Sequence, residues 1–104
     1  MPPDSVNFYW RPGCPFCTML RRGLDTARVA TVDHNIWDDP DAAAVVRSHA
    51  DGNETVPTVV IGDVGFVNPS ARDVTAHLME HAPHLLPEDF QAGLEPGRLR
   101  RLLG

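Results

Sequence analysis

Short runs with a side-chain period of two alternate along this chain with stretches of helical period, and that alternation restricts it to a layered α/β fold. Val6, Phe8 and Trp10 alternate with Asn7 and Tyr9 ahead of the Pro12-Gly13 break, which predicts a first strand. After Cys14, the residues Phe16, Met19, Leu20, Gly23, Leu24 and Ala27 share one helical stripe, with Arg21 and Arg22 on another face. A first helix therefore starts at the cysteines. The run VATVDHNIW reads as a second strand. Asp39 can cap a second helix that tolerates Pro40 in its first position, runs to about Ala50 and stops at Gly52. PTVVI and GFV read as two strands around a Gly62-Asp63 turn. NPSARDV opens a third helix, with Ser70 and Asp73 at capping-box spacing and Pro69 in the first turn. The predicted order is β-α-β-α-β-β-α, with a short helical tail beyond Pro83 and Pro87.

At 104 residues the chain holds one core, so a single domain over residues 1–86 with an appended tail over 87–104 is expected. No apolar run approaches the roughly 18 residues that span a bilayer, and MPPDSVNF lacks a signal-peptide layout. A cytoplasmic monomer with no membrane partner is the expectation. The net charge of -5 disfavours nucleic acid, whose binding depends on clustered cations. In a reducing cytosol, two close cysteines are catalytic or metal-binding more often than a structural disulfide.

Cys14 and Cys17 are separated only by Pro15 and Phe16 and sit between an aromatic strand and an amphipathic helix. A sulfur at a helix N-terminus faces unsatisfied amides and the positive end of the helix dipole, which favours thiolate. Lowering a thiol by three pKa units needs about 4 kcal/mol, whereas the dipole supplies roughly 0.3 to 2. The remainder must come from hydrogen bonds, for which Phe16 and Cys17 have backbone donors and Pro15 has none, and from Arg11 as a third contributor. Cys17 lies deeper in the first turn, where desolvation raises its pKa. Cys14 is expected to attack and Cys17 to resolve. Zinc takes four ligands, and no histidine follows Cys17 at finger-like spacing, so no metal site is expected.

A second constellation, Thr55-Val56-Pro57, directly precedes the third predicted strand. With CPFC and TVP in this order, the chain resembles the glutaredoxins of the thioredoxin fold, and DGNETVPTVVIGDVGFVNPSARDV resembles the mycoredoxins, relatives that use mycothiol. The resemblance covers residues 5 to 82. It implies a glutaredoxin-type fold with a four-stranded mixed sheet flanked by helices. It also implies a cis Pro57 that keeps its loop close to Cys14, and a Val56 backbone that offers its amide and carbonyl to substrate. Glutathione-dependent relatives commonly carry Gly-Gly and an acidic residue where this chain has Val67-Asn68-Pro69-Ser70. Asn68 and Ser70 suit a hydroxyl-rich ligand, although both are also common helix-cap residues.

The expected activity is reduction of protein mixed disulfides with mycothiol as co-substrate and no bound cofactor. Two alternatives stand beside it. One is a general protein-disulfide reductase recharged by thioredoxin reductase. The other is an iron-sulfur or zinc module built on the cysteine pair.

Overall fold

The computed structural model describes residues 3–90. The elements follow in the order β1 (Asn7–Trp10), α1 (Pro15–Thr26), β2 (Val32–Asn35), α2 (Pro40–His49), β3 (Thr58–Ile61), β4 (Val64–Val67) and α3 (Ala71–His81), with a 3-10 turn at Pro83–Leu85. This is the order that the hydrophobic periods predict. The expected helical tail lies, from residue 91 onward, outside the described residues.

The sheet runs β2-β1-β3-β4, with β2 parallel to β1 and the β1-β3 and β3-β4 pairs antiparallel. Residues opposite one another across a register share a face, so Asp33, Phe8, Val59 and Phe66 line one side. That side carries α1 and α3: the Arg21 guanidinium lies over the Phe8 ring, and His77 meets the Phe66 ring edge-on. The opposite side, with Val60 and Gly65, carries α2. A Cβ on Gly65 would overlap the His49 ring, so the missing side chain is what lets α2 settle there. All four residues of β3 are buried, as a central strand covered on both faces requires.

Each helix is capped as its sequence dictates. The Asp39 carboxylate accepts from the Asp41 and Ala42 amides at the start of α2, and Ser70 and Asp73 form the reciprocal capping box of α3. Pro69 precedes that cap rather than lying in the first turn. The Gly62-Asp63 turn places a positive φ of 62° on its glycine, and Ile61 pairs with Val64 across it.

Two expectations need correction. The second strand is shorter than VATVDHNIW. Arg28 turns the chain at a φ of 58°, and Asn35 starts a turn in which its own carbonyl accepts from the Asp38 and Asp39 amides. On α1 the buried side is Cys17, Leu20 and Leu24, whereas Phe16 and Met19 are 58% and 66% exposed. Cys17 takes the core position in the first turn, which rotates the stripe and brings Arg21 to the sheet edge.

Gly23 sets the spacing of α1 and α3, because a Cβ there would stand 2.5 Å from the Ala71 Cβ. Gly23→Ala gains about 1 kcal/mol of helix propensity but forces an overlap whose relief costs about 1 to 3 kcal/mol. We expect a net lower urea midpoint for Gly23→Ala, and partial recovery when Ala71→Gly removes the opposing methyl. A Gly23→Ala protein more stable than wild type would show that the two helices separate freely.

Candidate active site

The strand-to-helix turn after β1 holds the two cysteines. Gly13, at a φ of 73°, adopts a backbone conformation that a side chain disfavours, and it delivers the chain to Cys14 in an extended conformation at the N-cap of α1. Pro15 then occupies the first helical position, where its lack of an N–H costs nothing. The Cys17 amide donates to the Cys14 sulfur at 3.1 Å. A sulfur thus does here what Ser or Asp does at an ordinary cap.

The same sulfur meets a second segment. The Cys14 thiol donates to the Val56 carbonyl at 3.7 Å, and the Val56-Pro57 peptide bond is cis. Two hydrogen bonds hold this loop in place: the Thr58 hydroxyl donates to the Thr55 carbonyl at 2.8 Å, and the Asn68 amide donates to the Pro57 carbonyl at 2.7 Å. Asn68, at a φ of 53°, is therefore a neighbour of Pro57 despite eleven positions of separation in sequence.

Both thiols are free and buried. Burial pushes the Cys17 thiol up to about 12, with hydrogen bonding to Cys14 and the charge of Cys14 adding to the rise. The Arg11 backbone and guanidinium oppose that shift. Charge on this sulfur is thus strongly disfavoured while Cys14 is reduced beside it.

A cavity of about 280 Å³ opens at the pair, lined by Phe8, Trp10, Arg11, Gly13, Cys14, Cys17, Thr18, Arg21 and Asp33. Its polar corner is a network in which Arg21 donates to Asp33 at 2.5 Å and to the Thr31 hydroxyl at 3.0 Å, with Thr31 donating to Asp33 at 2.6 Å. The pair is partly exposed and contributes at most about 1 kcal/mol of stability. It leaves the cavity polar without a large net charge.

The predicted site residues fall into three groups. Arg11, Cys14 and Cys17 line the cavity, and Thr55, Val56 and Pro57 form the loop that touches Cys14. Asn68 reaches that loop through Pro57. Phe16 points to solvent, and Ser70 has both its amide and its hydroxyl oxygen engaged with Asp73. Sequence reasoning missed Thr18, Arg21 and Asp33. Arg21 carried a usable signal, four positions beyond Cys17 on the same side of a helix. Asp33 carried none, because only its pairing opposite Phe8 brings it to the cavity. Among the described residues no group of three or more His, Cys, Asp or Glu is placed to hold a metal ion, and His84 is turned away to the Pro3 carbonyl.

Two thiols one helical turn apart, the outer one at a helix cap beside a cis-proline loop, define a thiol–disulfide oxidoreductase on a thioredoxin-like fold. Known proteins narrow the class further. The family profile described as Glutaredoxin matches residues 6–66, and the chain belongs to the glutaredoxin family. Mycoredoxin 1 of Corynebacterium glutamicum is 36% identical over 76 residues, which span 72% of this chain and 94% of that protein. A protein of Mycobacterium tuberculosis named as a putative glutaredoxin is 35% identical over 79 residues, covering 75% of this chain and 94% of its own length. Among solved structures, the thioredoxin-like protein BC3987 superposes with a TM-score of 0.60 over 68% of this chain and 96% of that one. At 22% identity that likeness concerns the fold alone. The glutaredoxin-like NrdH-redoxin from Escherichia coli gives a TM-score of 0.52 at 26% identity, over 60% of this chain and 79% of its own.

The contrast between the two sulfurs gives a direct expectation. Iodoacetamide labelling followed by mass spectrometry should modify Cys14 first, with Cys17 in the reduced protein unlabelled between pH 7 and pH 9. A raised value means that Cys17 gains reactivity only as pH climbs towards about 12. Equal labelling of both residues at pH 8 would contradict the assignment of burial as the dominant influence on Cys17.

Proposed function

We propose that this oxidoreductase reduces mixed disulfides between protein cysteines and mycothiol, with Cys14 as the nucleophile. The observation that supports this best is the position of Cys14, which caps α1, accepts the Cys17 amide and touches the Val56 carbonyl next to the cis bond. The similarity to Mycoredoxin 1 supports the choice of thiol.

In the first step the Cys14 thiolate attacks the mycothiol sulfur of the mixed disulfide. A Cys14–mycothiol disulfide forms, and the protein sulfur leaves as a thiolate that takes up a proton. The Cys17 amide, already aimed at Cys14, serves the charged sulfur before attack. In the second step a free mycothiol thiolate attacks the mycothiol sulfur on Cys14, which restores Cys14 and releases the symmetric disulfide. Cys17 offers the other exit: its thiolate attacks Cys14, mycothiol leaves, and an external reductant supplies two electrons to reopen the Cys14–Cys17 disulfide.

The two exits differ in their proton cost. In the reduced pair the raised Cys17 thiol stays protonated at pH 7. Bonding Cys14 to mycothiol removes its charge from the neighbourhood of Cys17, but desolvation, the largest contribution, stays. External mycothiol is therefore the main route and Cys17 the slower one. The chain works as a cytoplasmic monomer with no bound cofactor in this reading. The Val67-Asn68-Pro69-Ser70 segment, with no charge pair for the two carboxylates and amine of glutathione, agrees with it.

The test supplies one mixed-disulfide substrate with mycothiol, glutathione or thioredoxin reductase in separate assays. Turnover should be fastest with mycothiol. Cys14→Ser should lower it by about 10³-fold or more, whereas Cys17→Ser keeps most of it. Equal or faster turnover with glutathione would replace this reading by a broader glutaredoxin activity. Turnover only with thioredoxin reductase, lost equally in both variants, would establish the general disulfide reductase instead.

A further inference from the structure

Trp37 is the largest side chain left in water among the described residues, at 64% exposed, and it stands in a turn held on all sides. Its amide donates to the Asn35 side-chain oxygen at 3.0 Å, and the Asn35 side-chain amide donates to Asp38 at 3.1 Å. The Asp38 and Asp39 amides both close on the Asn35 carbonyl. Immediately before it, Ile36 is buried and donates its amide to the Trp10 carbonyl at 2.9 Å. This bond locks the turn to the end of β1, one residue before Arg11.

A rigid turn that holds an indole in solvent gains no packing from it. The indole does have one partner. The Arg11 guanidinium carbon lies 5.8 Å from the centre of the ring, and Arg11 also lines the cavity with Cys14 and Cys17. Arg11, whose guanidinium also donates to the Pro12 carbonyl at 3.1 Å, thus stands between Trp37 and the cavity that holds the reacting sulfur. The cavity, at about 280 Å³, lies at the small end of ligand sites, and a pseudodisaccharide thiol bonded to Cys14 has its sugar and cyclitol rings furthest from the sulfur, towards the mouth.

We propose that Trp37 is a specificity-determining residue, whose indole face is the platform for the sugar ring of a pseudodisaccharide thiol bonded to Cys14. This rests on the reading of mycothiol as the co-substrate. A sugar or cyclitol ring has an apolar C–H face, which packs on the part of the indole that the Arg11 guanidinium above it leaves exposed, and a rim of hydroxyls, which accept from that guanidinium. Glutathione offers carboxylates to Arg11 but has no ring for the indole. The discrimination therefore comes from Trp37, and Arg11 serves both ligands.

The experiment loads the single cysteine of one model protein with mycothiol or with glutathione and compares kcat/KM on the two forms for wild type, Trp37→Ala and Trp37→Phe. Wild type should prefer the mycothiol form. Trp37→Ala should lower that preference by about tenfold, through KM, and Trp37→Phe should recover most of it because a flat aromatic face remains. A wild-type preference that survives Trp37→Ala unchanged, including through an equal fall in both rates, overturns the platform and leaves the mycothiol reading intact. No preference in wild type overturns the mycothiol reading and the platform together.

Discussion

The contact on which the active site depends is the hydrogen bond from the Cys17 amide to the Cys14 sulfur, 3.1 Å long. It is a helix cap and a reaction site at once. A cap must satisfy one of the first free amides of a helix, and an ordinary oxygen would do so permanently. Using sulfur for this job makes the stability of the first turn of α1 depend on an atom that also has to form and break bonds. Pro15 limits the cost by presetting the first helical φ, and Cys17 and Leu20 anchor the turn from below. The turn is thus held by its buried face and not by its cap alone.

Around that bond the architecture works by close approach. Gly23 admits α3 against α1, and Gly65 admits the His49 ring of α2 against β4. The sheet can then place β3 beside β1, and the loop entering β3 carries Val56 to the Cys14 sulfur. The Thr58 hydroxyl and the Asn68 amide fix that loop from both sides. Contact between two parts of the active site 42 residues apart is a consequence of strand order.

Most of the fold was legible because its signals are local. Asp39 with Pro40, Ser70 with Asp73, and Gly62 each mark a boundary by chemistry that acts within a few residues. The cysteine turn and the Thr55-Val56-Pro57 loop were legible for the same reason, helped by family resemblance. What the sequence concealed depends on rotation or pairing. Phe16 and Met19 read as core because any apolar residue fits a helical stripe, yet Cys17 occupies the inward position. Asp33 and Arg21 meet only through the β1-β2 register, which no short motif encodes. Trp37 read as the end of a strand, and only the Asn35 turn shows it to be a displayed side chain.

The burial of Cys17 and the exposure of Trp37 bear on the same question, namely where selectivity enters a two-step exchange. A resolving thiol that ionises easily would empty Cys14 quickly whatever thiol was bound to it, and the identity of that thiol would matter only on arrival. In the proposed exchange, the burial that raises the Cys17 thiol persists when Cys14 carries the small thiol, so it slows the internal exit and favours a second molecule of that thiol as the attacker. On the proposed reading, recognition at the rim acts twice, once on the mixed disulfide that enters and once on the complex that must be resolved. On that reading the small cavity, Arg11 and the exposed indole are useful in proportion to how poorly Cys17 competes. The desolvation that slows the internal exit is the same property that makes an external binding surface effective.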